Sequence, residues 1–265
     1  MSEATTTTGT PVIEARQISK HFGHVNALVG VDLALAQGEV LGVVGDNGAG
    51  KSTLMKVLSG VHPASSGEML VEGQPVSFSN PGDARRIGIE MVYQDLALAG
   101  NMRIDENIFL GREQTRRYGP ISLVDHKANK ERAMEHLDKL KIHVKSVGQR
   151  VEELSGGQRQ AVAVARATAF DAKVVIMDEP TAALAVKEVA KVLDLIKGLR
   201  DKGIAVILIS HRLDDIFYVC DRVMALFHGR NFADGRLDDI ERNEVVGWIM
   251  GNKAGAGTEA AVDHN

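Results

Sequence analysis

The chain has 265 residues, of which 44% are hydrophobic and 25% charged, and it carries a formal net charge of -4 at pH 7. These values describe an ordinary soluble globular protein long enough for a sizeable core; they exclude fibrous or disordered chemistry and argue against a broad nucleic-acid-binding surface. The single cysteine, Cys220, excludes an intramolecular disulfide framework and fits a reducing compartment.

The start, MSEATTTTGT, lacks the basic and apolar regions of a signal peptide, and no apolar run has the length that crosses a bilayer, so cytoplasmic residence is the expectation. Residues 1–10 and 252–265 read as polar or small-residue tails around one domain, residues 11–251. Strand-sized runs follow at VDLAL, VLGVV, EMLV, IEMVY, KVVIMD, AVILIS and RVMALF, each bounded by Gly, Pro or polar residues. Several alternate with helical patterns. STLMKVLSG is apolar at Leu54, Val57 and Leu58, and KEVAKVLDLIKGLR places Val189, Val192, Leu193 and Ile196 on one face before Gly203 ends the pattern. This alternation predicts an α/β fold with a mostly parallel, buried sheet.

Between VLGVV and STLMKVLSG the residues Gly45, Asp46, Asn47, Gly48, Ala49, Gly50, Lys51, Ser52 and Thr53 match the pattern G-x-x-x-x-G-K-[ST] in the strand-loop-helix context it requires. The glycines let backbone N–H groups turn inward onto phosphate oxygens, and the following helix N-terminus adds partial positive charge. Lys51 is placed for the β- and γ-phosphates, Ser52 for Mg²⁺ and Thr53 for the α-phosphate. Nucleotide binding follows; hydrolysis does not follow from this loop alone.

After IEMVY comes Gln94, and from about residue 95 to 169 strand-like runs nearly vanish. KERAMEHLDKL carries Ala133, Met134, Leu137 and Leu140 at helical spacing, which predicts a helical subdomain inserted into the sheet domain. Within it GREQTRRYGP reads as an exposed turn. Along the chain, Arg85, Arg86, Arg112, Arg116 and Arg117 read as scattered solvated cations rather than a patch. LSGGQ then precedes the helical RQAVAVARATAF, so Ser155 and the N–H groups of Gly156 and Gly157 crown a second helix N-terminus.

KVVIMDEP places Asp178 and Glu179 where a buried strand ends, the edge at which ligands gather in parallel sheets. Alone, the pair is weak evidence, since polar residues naturally end buried strands. Beside a phosphate loop, Asp178 suits Mg²⁺ and Glu179 suits proton acceptance from, or orientation of, an attacking water. Gln94 and His211 face a γ-phosphate if their strands flank the phosphate-loop strand. One nucleotide is not readily wrapped from both sides by one chain, so the second glycine loop suggests a two-fold pair in which each copy closes over the other's nucleotide.

Taken in order over about residues 12 to 250, these motifs resemble those of the ATP-binding-cassette (ABC) ATPases. GDNGAGKST looks like their Walker A, Gln94 like their Q-loop glutamine, LSGGQ (Leu154 to Gln158) like their signature, VVIMDE like their Walker B with its catalytic glutamate, and His211 like their switch histidine. Phe22, in KHFGHVNAL, matches the position where the family stacks an aromatic ring on adenine. The resemblance implies an α/β P-loop NTPase cassette, with a mostly parallel core, an antiparallel β subdomain and the helical insertion. It also implies ATP with Mg²⁺ held by Ser52, Gln94 and Asp178, catalytic roles for Lys51, Gln94, Glu179 and His211, and contacts of Ser155, Gly156, Gly157 and Gln158 with the partner's ATP.

QDLALAGNMRIDENIFLGRE and DEPTAALAVKE look like the ATPase subunits of monosaccharide importers for ribose, xylose or fructose, and the single-cassette fructose type is the most similar. Implied partners are a second copy, integral membrane permease subunits and, indirectly, a periplasmic or extracellular sugar-binding protein, with no nucleic acid. The implied location is the cytoplasmic face of the membrane. The family usually has an aspartate where this chain has Ala185, which motivates a weakly hydrolysing regulatory cassette as one alternative; a clamp on nucleic acid is the other.

Overall fold

The computed structural model describes residues 10–118 and 120–252; apart from Thr10 and Asn252, the two expected tails lie outside the described residues. In chain order the strands and helices are β1 (Ile13–Phe22), β2 (Val25–Leu35), β3 (Val40–Val44), α1 (Lys51–Leu58), β4 (Ser66–Val71), β5 (Gln74–Val76), α2 (Pro81–Arg86), β6 (Ile89–Val92), α3 (Ile104–Phe109), β7 (Thr115–Tyr118), β8 (Ile121–Val124) and α4 (His126–Lys139). A 3-10 turn at Val151–Glu153 leads into α5 (Gly156–Thr168), followed by β9 (Val174–Asp178), α6 (Val186–Arg200), β10 (Ala205–Ile209), α7 (Leu213–Val219), β11 (Arg222–Phe227), β12 (Arg230–Arg236) and α8 (Arg242–Ile249).

The central sheet has the order β12-β11-β3-β10-β9-β6, with β12 antiparallel and every other neighbour pair parallel. β3 and β10 carry no polar side chain, and β9 and β11 are apolar but for Asp178 and Arg222 at their ends, because both faces are covered. Leu41, Val43, Ile176, Ile207 and Met224 join one core with α1 and the antiparallel sheet β2-β1-β4-β5. Val40, Val44, Val175, Leu208 and Val223 alternate with them and join the other core, under the remaining long helices. The expected mostly parallel core and antiparallel β subdomain are both present.

Several sequence readings change. Met134 shares helical spacing with the buried Ala133 and Leu137 yet is 49% exposed, so it lies off the packed stripe of α4. GREQTRRYGP holds strand β7, paired with β8, rather than only a turn. Described residues of this hairpin are exposed, so burial imposes no alternation on their sequence, and local pairing alone makes them strands. β1 was likewise absent from the strand-sized runs. Its Gln17 has φ +50° and its register slips between Ala15 and Ile18, so the buried residues Ile13, Ala15 and Ile18 depart from period two. The arginines are mostly ion-paired: Arg85 and Arg112 with Glu90, Arg86 with Asp83, and Arg116 with Asp125.

Candidate nucleotide site

β3 lies between β10 and β11, and the chain leaves its end through Gly45 (φ +146°), Gly48 (φ +82°) and Gly50 (φ +101°). A Cβ on Gly45 would stand 2.3 Å from the Leu226 carbonyl oxygen, and one on Gly50 would stand 2.8 Å from that of Ala27. Those two glycines permit close approach of neighbouring backbone. Gly48 meets nothing within 4 Å, so its φ alone calls for glycine. Lys51 begins α1 and reaches back across the loop, its Nζ donating to the carbonyls of Gly45 (2.7 Å) and Asp46 (3.0 Å). Burial lowers the Lys51 ammonium pKa, against the opposing pull of Glu179, Asp46 and Asp178. Ser52 is exposed and Thr53 half-buried in the first turn.

Asp178 ends β9 and is in register with Ile209 of β10. Glu179 follows in the left-handed region (φ +51°), its N–H donating to the Ile209 carbonyl at 3.0 Å. That turn brings the Glu179 carboxylate to 2.6 Å from Nδ1 of His211, a residue 66% exposed just past β10. A carboxylate and an imidazole in contact form a unit that can orient water and hold a proton. Sequence reading gave His211 a phosphate; the structure pairs it first with Glu179.

Burial pushes the Asp178 carboxyl up, the Glu179 charge adds to this, and Lys51 and Lys56 oppose it. An under-compensated carboxylate beside Lys51 fits a site for a divalent cation. The raised value also sets the sign of a pH effect. The folded carboxyl holds its proton more tightly than the unfolded one, so stability falls as pH rises through that window, and the cost is complete above the folded value. Asp178→Asn is therefore expected to raise the nucleotide-free melting temperature at pH 7, by less as pH is lowered toward the ordinary aspartate range, while weakening ATP retention with Mg²⁺. Melting curves at several pH values and nucleotide titration check both halves.

Gln94 differs from His211. β10 adjoins β3, but β6 is the sheet edge, separated from β3 by β9 and β10, so the flanking condition holds for His211 and not for Gln94. Gln94 is exposed, and the residues after it, Leu96 (φ +59°) and Ala97 (φ +46°), are left-handed. Arg166 of α5 donates to both of their carbonyls, at 2.7 and 2.5 Å. Sequence reading missed this clamp, since an arginine in an amphipathic helix has no local signal for a bond 70 residues away.

Ser155 is the N-cap of α5: its hydroxyl accepts from Gln158 N–H at 3.3 Å, and the Gln158 side-chain oxygen accepts from Ser155 N–H at 3.0 Å. The adjacent glycines serve their own chain as well. A Cβ on Gly156 would be 3.0 Å from Leu184 Cδ2, and one on Gly157 would be 2.8 Å from Glu188 Cβ, so close packing on the start of α6 demands small residues here. Phe22 ends β1 opposite Val25 and is 44% exposed, with Lys20 Nζ 5.1 Å from its centroid and His62 edge-on at 5.3 Å. Its hairpin neighbours the phosphate loop through Ala27, against which Gly50 packs. A separate cavity of about 520 Å³, lined in part by Arg132, His136, Lys139 and Lys202, contains none of the expected site residues.

A parallel sheet with a phosphate-binding glycine loop at its central strand, and carboxylates at the end of β9, defines a P-loop nucleoside triphosphatase. The chain belongs to the ABC transporter family, whose profile matches residues 28–182, and it is accordingly an ABC ATPase. It is 47% identical over 235 residues to the xylose/arabinose import ATP-binding protein of Sulfolobus acidocaldarius, covering 89% of this chain and 92% of that one. It is 44% identical over 248 residues to the fructose import ATP-binding protein of Rhizobium meliloti, covering 92% and 95%. Its fold matches the crystal structure of a nucleotide-free ATP-binding cassette from an ABC transporter with TM-score 0.76 and 27% identity, covering 91% of this chain and 95% of that one.

Proposed function

We propose that this protein is the ATP-hydrolysing subunit of a sugar importer, working as a head-to-tail pair of copies bound to membrane permease subunits at the cytoplasmic face. One observation carries the two-copy reading: Gly156 and Gly157, beside Ser155, pack against the start of α6, while Lys51, Asp178, Glu179 and His211 gather around the phosphate loop and the adjoining strand ends. Each copy thus carries a triphosphate cradle and, on another element, a second set of anion donors. Pairing the cradle of one copy with the donors of the other surrounds the transferring phosphoryl group.

In this reading the loop N–H groups and Lys51 bind the β- and γ-phosphates, and Ser52 and Asp178 would hold Mg²⁺. The ion supplies neutralisation of phosphate charge. Glu179 accepts the proton of the attacking water, and His211, in its doubly protonated form, donates from Nδ1 to that carboxylate and from Nε2 to the γ-phosphate. Ser155, Gly157 and Gln158 reach the γ-phosphate on the opposite copy. Closure then tightens the site, and phosphate release removes the charge that bridged it. The segment from Gln94 to Gly111, clamped to α5 by Arg166, is the proposed contact for the permease.

Phe22 stacks on adenine. Phe22→Ala is expected to weaken ATP binding roughly tenfold, in line with base-aromatic stacking generally, and to leave turnover at saturating ATP nearly unchanged. Titration with a fluorescent ATP analogue and steady-state phosphate release check the two parts.

The transported sugar is proposed to be a pentose or fructose, from the two sugar-import relatives. Affinity isolation from native membranes, with identification of attached subunits and of the sugar their binding protein retains, tests this. Recovery of DNA or RNA in place of membrane subunits would overturn it in favour of a nucleic-acid clamp.

A further inference from the structure

The signature turn already has an anion on it. α6 begins with Ala185 as its N-cap, which offers no side-chain cap. Glu188, three residues on, sends its N–H back to the Ala185 carbonyl at 2.8 Å. Its carboxylate is packed over the turn, and the nearby Ser155 hydroxyl and backbone N–H groups of Gly157 and Ala185 hold it below the usual glutamate range. The packing is correspondingly close: a Cβ on Gly157 would meet Glu188 Cβ, Cγ and Cδ at 2.8, 3.1 and 3.2 Å, and one on Gly156 would lie 3.7 Å from Glu188 Oε2. One carboxylate therefore bridges two helix N-termini, each of which favours negative charge.

We propose that Glu188 is a built-in occupant of the signature turn's anion site, which the terminal phosphate held by a second copy must displace before the two-copy site closes. The inference rests on the two-copy reading above. A carboxylate and a phosphate are both acceptors at these donors, and the single hydroxyl proton of Ser155 and the single N–H of Gly157 cannot fully serve both. Two anions on one helix N-terminus also repel. Glu188 consequently offsets part of what ATP contributes to closure and raises the ATP concentration at which copies associate. It restrains association without touching the nucleotide of its own copy.

The test uses the full chain carrying Glu179→Gln, with ATP-driven association followed by light scattering across an ATP titration. Adding Glu188→Ala is expected to lower the ATP midpoint roughly three- to tenfold, with Glu188→Gln between it and the parent. The nucleotide-free melting temperature should fall as well, because the bridge between α5 and α6 is lost. A purely structural role would weaken both, so association that becomes tighter in a less stable protein is the signature of a displaced occupant. A midpoint unchanged or raised in Glu188→Gln, which keeps the side-chain shape, overturns the inference while leaving the two-copy reading intact. Failure of the Glu179→Gln parent itself to associate at saturating ATP overturns that reading, and the inference with it.

Discussion

Glu179→Gln is expected to lower steady-state phosphate release by roughly 10²- to 10⁴-fold, the range of a lost general base, while ATP binding persists and ATP traps associated copies. The expectation comes from geometry. The left-handed turn at Glu179 and its N–H bond to Ile209 place the carboxylate 2.6 Å from His211 Nδ1, beside the phosphate-loop lysine whose charge it supports. Glutamine keeps the shape and can still hydrogen-bond to the ring, but it cannot take a proton from water near neutral pH. Phosphate release by the purified variant checks this directly; turnover within a few-fold of the unmodified protein would remove Glu179 from the role.

The second large effect is on the cradle itself. Gly45→Ala is expected to destabilise the protein by roughly 3 kcal/mol or more, because overpacking and a glycine-only backbone region act together. The obstructing atom is the Leu226 carbonyl oxygen, 2.3 Å from the new Cβ, and it belongs to β11, which is hydrogen-bonded in the central sheet next to β3. It cannot withdraw as a flexible side chain would. Gly48→Ala is the matched control: its φ is also positive, yet nothing lies within 4 Å, so only backbone strain of about 1–2 kcal/mol is expected. Urea-unfolding midpoints compare the two. Equal losses would mean that the Leu226 contact has no weight and that φ alone governs the loop.

The legible parts of this protein are those encoded by contiguous residues. Nine consecutive positions from Gly45 to Thr53 specify both the bend and its chemistry, and the Ser155–Gln158 box marks the start of α5 from within four residues. Buried strands such as Val40–Val44 declare themselves because every side chain must be apolar when both faces are covered. Strands such as β1 and β7 were not legible. In β1 a left-handed Gln17 interrupts the alternation, and in the β7–β8 hairpin exposure leaves no burial pattern to read.

By itself, then, the sequence determined the fold class, the phosphate loop, the Asp178–Glu179 pair and the second glycine turn, because each is set by local backbone conformation and side-chain chemistry. Only the tertiary structure decided that β10 adjoins β3 while β6 lies at the edge, that Glu179 meets His211, that Arg166 clamps Leu96 and Ala97, and that Glu188 sits on Ser155 and Gly157. The physical reason is that a strand buried on both faces carries the same apolar code whichever strand it pairs with. Neighbours far apart in the chain are therefore chosen by packing of the whole molecule rather than by any one segment.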